Sequence, residues 1–165
     1  MAVLSSFEAV VVYSFGGSPR YGPGAANKKL AAIALRIAQN NPSGLVLVAQ
    51  DYLEEPLREF GGISLVGLVV RKHRTKGAFL GTEEVTAQAV AYLHTQGIRR
   101  VVLVAHPFLH RFKCRKLLLR SGFSVKCAKT GFVPFDPGGE GWWVRGPLRL
   151  LLYAVLQVLF GRRGV

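Results

Sequence analysis

The chain has 165 residues, half of them hydrophobic, with 22 Lys and Arg against 9 Asp and Glu and a formal net charge of +13. That length suits one domain spanning 1–165 with a real core, and the apolar share excludes a disordered chain. The charge bears on solubility and partners, not on fold, and favours anionic company: phosphorylated small molecules, nucleic acid or an acidic membrane surface. Most of the excess reads as a solvated basic exterior. Two cysteines, Cys114 and Cys127, cannot build a disulfide framework, and no Cys-x-x-Cys or Cys/His spacing suggests zinc. They read as buried free thiols, in keeping with a reducing compartment.

Residues 9–15 (AVVVYSF) are rich in β-branched side chains and end at Gly16-Gly17, which predicts a first strand. No basic stretch precedes this apolar run, so it does not read as a signal peptide. Residues 25–39 show helical spacing, with Leu30, Ile33, Ala34 and Ile37 on one face, and Asn40-Asn41-Pro42 stops them. Residues 45–49 (LVLVA) form a continuous apolar run, as expected of a strand buried on both faces. A short helix is expected over 52–60 and a third strand over 63–70. Residues 71–81 read as a loop. A helix follows over 82–96, with Gly97 at its end, then a fourth strand over 99–105. Residues 107–121 predict a helix and 123–128 a fifth strand. A Gly/Pro-rich loop over 130–141 leads to a last helix over 147–160, with Pro147 at its first position and Gly161 as its stop.

Strand–helix alternation with buried-type strands predicts a three-layer αβα sandwich: a doubly wound, mostly parallel, five-stranded Rossmann-like sheet. In such sheets ligands bind outside the carboxyl ends of the strands. The longest apolar stretch, 148–160, is interrupted by Arg149 and is shorter than the ~20 residues of a membrane span. The chain therefore reads as cytoplasmic or peripheral to a membrane. Its last helix, apolar nearly all round, is expected to pack against the sheet or a partner subunit as a homodimer, with contact to a membrane surface as the other reading.

Four segments follow predicted strand ends or flank them. Gly16, Gly17 and Ser18 open a turn that lets backbone approach an anion, although neither GxGxxG nor a Walker motif is present; a plain flexible turn explains it equally well. Asp51 follows the second strand. His106 ends the fourth strand, placed to cap the next helix or to face the crevice, and His110 lies one turn on. Imidazole titrates near neutrality, which suits acid/base work. The pair lacks the Glu of HExxH, so no metal is assigned. Thr82 is the expected N-cap of its helix, and Glu83 and Glu84 complement the dipole, which accounts for that pattern locally. Glu84 also suits a partner to a histidine or a ligand hydroxyl. Two basic groups, Arg71 to Lys76 and Arg111, Lys113, Arg115 and Lys116, suit phosphate or nonspecific nucleic-acid contact. No nucleic-acid motif accompanies them, and aromatic residues are not interleaved as stacking platforms would need.

The run GTEEVTAQAVAYLHTQGIRRVVLVAHPFLHRFKCRKLLLRSGFSV resembles the core of the YdcF/SanA/ElyC-like family. That family's signature is a Thr with nearby Glu-Asn opening a helix, then a strand, then a small-polar/His segment followed by Arg. Thr82 and Glu84 match the first part and His110 the second. The Gly16-Gly17 turn and the ending Trp142-Trp143-Val144-Arg145 with a terminal helix are also similar. The likeness covers most of the chain and is specific over 82–125. Val85 stands where the family has Asn, Lys113 where it has Arg, Gln50-Asp51 where many members have Ser-Gly, and His106 where Ser or Thr is common. The resemblance implies a Rossmann-like domain of unsettled activity, with nucleotide-type ligands such as S-adenosylmethionine, and some members are linked to cell-envelope processes.

The leading expectation is thus a Rossmann-like protein that binds a small anionic or nucleotide-like ligand. Gly16, Gly17, Ser18, Asp51, Thr82, Arg111 and Lys113 would bind it, and His110, Glu84 and His106 are the candidate catalytic groups. A nonspecific nucleic-acid-binding protein and a noncatalytic envelope-associated scaffold are the alternatives.

Overall fold

The computed structural model describes residues 7–41, 44–71 and 81–159. Five β-branched runs become strands: β1 (Ala9–Val12), β2 (Val46–Gln50), β3 (Val66–Val70), β4 (Arg100–Val104) and β5 (Ser124–Cys127). They pair in parallel throughout, in the order β3-β2-β1-β4-β5. Ala9 of β1 aligns with Val46 on one side and Val101 on the other. The helices are α1 (Gly24–Gln39), α2 (Glu54–Glu59), α3 (Thr82–Thr95), α4 (Leu109–Arg120) and α5 (Pro147–Leu159). This is the expected Rossmann-like three-layer architecture.

Strand side chains alternate between two cores, because successive Cβ atoms point to opposite faces. Val10, Val12, Leu47, Ala49, Val102 and Val104 pack with Leu30, Ala34 and Leu57 of α1 and α2. Ala9, Val11, Val101 and Leu103 pack with Val85, Ala89 and Leu93 of α3 and with Cys114 and Leu118 of α4. Fully burying one such Val or Leu contributes about 1.5–3 kcal/mol, so covering both faces is what holds the sheet.

Several boundaries differ from the sequence expectation. The first strand stops at Val12 because Ser14 N–H bonds to Gln50 Oε1 (3.1 Å) instead of continuing the ladder. Residues 51–53 and 63–65 are single 3-10 turns, the second closed by Leu65 N–H to Gly62 O at 3.1 Å. Gly81, not Thr82, is the N-cap of α3, since Gly81 O already accepts Val85 N–H (3.1 Å). Pro107 lies outside α4, which begins at Leu109 with Phe108 as its N-cap. Of the expected loop over 71–81, residues 72–80 lie outside the described residues. The last helix sends Leu150 into the core that covers one face of the sheet and otherwise rests on the 3-10 turn Trp142–Arg145, with Tyr153 stacked on Trp143 at 4.7 Å.

Candidate functional site

From β1 the chain passes through α1 to β2 on one side, whereas α3 delivers β4 to the other side of β1. The carboxyl ends of β1 and β4 therefore form the topological switch point, where a doubly wound sheet leaves a crevice. Two turns meet there: 13–17 after β1 and 105–110 after β4.

The β1 turn is fixed by Asn27, fully buried in the first turn of α1. Its Oδ1 accepts Phe15 N–H (2.8 Å), while Nδ2 donates to Pro23 O (2.7 Å) and Gly16 O (3.4 Å). Gly16 and Gly17 then adopt φ of +85° and +87°, a conformation that strains any other residue. The buried Asp136 carboxylate lies in the concavity they make. Its Oδ2 accepts Gly17 N–H (2.5 Å), and its Oδ1 accepts Gly138 N–H (3.2 Å). A Cβ on Gly16 would lie 2.5 Å from Asp136 Oδ2, and one on Gly17 would lie 2.8 Å from the Tyr52 ring. Burial, with help from the Glu140 and Asp51 charges, pushes the Tyr52 hydroxyl up to about 12.

The β4 turn holds the two histidines. His106 is fully buried, its ring stacked on Phe15 at 3.7 Å and edged by Phe135 at 5.0 Å. Its Nε2 lies 3.2 Å from Val133 O, and a carbonyl can only accept, so the proton sits on Nε2. Nδ1 is then a lone-pair acceptor, shielded from solvent and without a hydrogen-bond partner. His110 Nδ1 is shielded and unpartnered in the same way. The His110 ring lies 5.9 Å from Phe15 and meets the edge of Tyr13 at 6.0 Å. Burial holds His106 down to about 4; burial, then the His106 and Lys113 charges, do the same for His110. Both rings are neutral at physiological pH. The expectation that His106 caps α4 is corrected: its side chain bonds to Val133 and stacks in the aromatic cluster instead.

Tyr13 ties this cluster to α3. Thr86 Oγ1 donates to Thr82 O (2.7 Å), so it accepts the Tyr13 O–H at 2.8 Å. Burial pushes the Tyr13 phenol well above its usual range, so it stays protonated. The Cys114 thiol is likewise pushed up by burial and packs as an apolar group.

The other sequence candidates are distributed around the switch point. Ser18 is buried in a tight turn of its own, exchanging backbone bonds with Gly22 (3.0 and 2.8 Å) and accepting Tyr21 N–H on Oγ at 3.0 Å. Asp51 Oδ1 accepts Tyr52 N–H (2.9 Å). Thr82 and Glu84 are half-buried in the first turn of α3. Lys113 reaches Glu83 at 3.0 Å, an ion pair across α3 and α4. Arg111 lies over the Phe112 ring at 5.8 Å. Sequence reasoning missed Tyr13, Phe15, Asn27, Phe135 and Asp136. Tyr13 and Phe15 sit inside the strand-like run, and only the rule that ligand sites follow strand ends points to them. Nothing in 132–138 marks Asp136, which reads as an ordinary turn residue.

The chain matches no protein-family model, no curated protein and no solved structure. A nucleotide-type cofactor in this fold sets its charged end against the first glycine turn and the following helix. In this protein the Asp136 carboxylate fills that concavity. The residues present therefore do not fit S-adenosylmethionine in that pose, and no chemistry is routed through it.

Proposed function

We propose that the protein binds a small anionic or nucleotide-like ligand at the carboxyl ends of β1 and β4, on the His110 side of the crevice. The observation that carries this reading is the meeting of two turns at the switch point of the sheet, with the half-buried His110 ring after β4 lying against Phe15 and Tyr13 after β1. Helix dipoles and charge support the same side. The first turn of α3 carries Glu83 and Glu84, whereas the first turn of α4 has no acid and contains Arg111. Negative charge is therefore favoured at α4 and opposed at α3. Thr82 and Glu84 suit ligand hydroxyls, and their match to the YdcF-like signature agrees with that role.

With its ring held neutral, His110 offers a ligand one N–H donor and one lone-pair acceptor or weak base, and does not act as an imidazolium acid. Native mass spectrometry of freshly purified protein tests the reading by detecting a co-purified small molecule. Calorimetric titration with AMP, ATP, S-adenosylmethionine and inorganic phosphate then ranks candidates. His110→Ala is expected to weaken the best of them at least about tenfold, as a lost buried hydrogen bond would, and Glu84→Gln is expected to weaken a hydroxyl-bearing ligand. Undiminished binding in folded variants would overturn this site.

A further inference from the structure

The helix α5 presents its apolar stripe outward. Leu148, Leu151, Leu152, Val155 and Leu156 are spaced as i, i+3, i+4, i+7 and i+8 and are 80, 58, 53, 44 and 37% exposed. Such a stripe normally faces a core. Here the inward contacts are made by other residues: Leu150 is buried and Tyr153 stacks on Trp143. The 13 residues of α5 reach about 20 Å, short of the ~30 Å hydrocarbon core of a bilayer. Among the described residues no helix is long and apolar enough to cross a membrane.

We infer that this face lies flat on an anionic lipid bilayer, an interaction independent of the ligand site. Charge selects that occupant. No acidic residue follows Glu140 in the sequence, whereas Arg145, Arg149, Arg162 and Arg163 do. Arg145 and Arg149 are exposed. An apolar stripe beside arginines suits the boundary between headgroups and acyl chains. A second copy is the weaker occupant: a two-fold interface would set this purely basic segment against itself, on a chain whose formal charge is +13.

The test is flotation of the full chain with phosphatidylcholine vesicles, with and without phosphatidylglycerol. The expected result is binding to the anionic vesicles alone, weakened by added salt. Leu148→Glu combined with Leu152→Glu is expected to reduce partition at least about a hundredfold. Arg149→Gln is expected to reduce it about fivefold. Both changes fall on exposed positions, so an unchanged thermal melt shows that the fold is kept. Absence of binding, equal binding to pure phosphatidylcholine, or undiminished binding of the double variant would overturn the inference. So would light scattering that shows a dimer which the double variant dissociates, because a second copy would then cover the face.

Discussion

The turns after β1 and β4 stand side by side at the switch point, and they differ in what they leave unsatisfied. In the glycine turn both backbone groups of Gly17 are bonded within the chain: its N–H is taken by Asp136, and its O accepts Glu140 N–H at 3.0 Å. The histidine turn is packed as tightly but keeps two shielded nitrogen atoms with no partner. Glycines after a first strand usually suggest the ligand's place. Here an internal carboxylate occupies it, and the remaining polar capacity lies one strand over. A motif's position is thus less informative than the full accounting of its hydrogen bonds.

Breaking the glycine turn should have the largest effect. Gly17→Val places a side chain on a backbone at φ +87° and into the Tyr52 ring 2.8 Å away. A loss of about 4 kcal/mol is expected, read as a lowered urea midpoint. Acid is the matching probe of the histidine turn. The unfolded chain takes up a proton on His106 as pH falls through 6.5, whereas the folded chain resists until about 4. The stability contributed by this group is therefore full above pH 6.5 and declines as pH falls from there toward 4. At about 1.4 kcal/mol per unit the drop amounts to about 3 kcal/mol, with His110 adding in the same direction. Urea titrations at stepped pH would show it. His106→Phe, which keeps the stack on Phe15 and cannot be protonated, should flatten the slope.

Asp136→Ala comes next. It leaves Gly17 N–H buried and unpaired, at about 2 kcal/mol, and Asp136→Asn should recover most of that by keeping an acceptor. Equal losses for the two variants would mean that the carboxylate's charge, not its hydrogen bond, holds the turn. The smallest effect is expected at the rim. Lys113→Ala breaks an exposed pair with Glu83 and should cost about 0.5 kcal/mol or less in a thermal melt. A large loss there would show that the α3–α4 pair helps set the histidine turn.

Much of the architecture is legible in the order of residues alone. Continuous apolar runs such as 45–49 announce strands buried on both faces, and helical spacing over 25–39 and 82–96 announces the layers. The expectation that chemistry gathers where β4 ends also points to the turn where the two histidines lie. What is not legible is how each group is used. His106 as a cap and Gly17 as a free donor are both reasonable locally. Each is instead committed to a distant partner, Val133 in one case and Asp136, 119 residues away, in the other.

The sequence by itself determined the strands, the helices and the parallel Rossmann-like class, because hydrophobic periodicity and glycine or proline stops act over a few residues. Tertiary structure alone decided the strand order that puts β1 beside β4, the seating of Asp136 in the glycine turn, the stack of Phe15 on His106 and the outward stripe of α5. Those features depend on which faces pack together and on which buried polar groups find partners across the sheet. Local patterning does not carry that information, since a side chain's burial and bonds are set by neighbours that only the folded chain brings near.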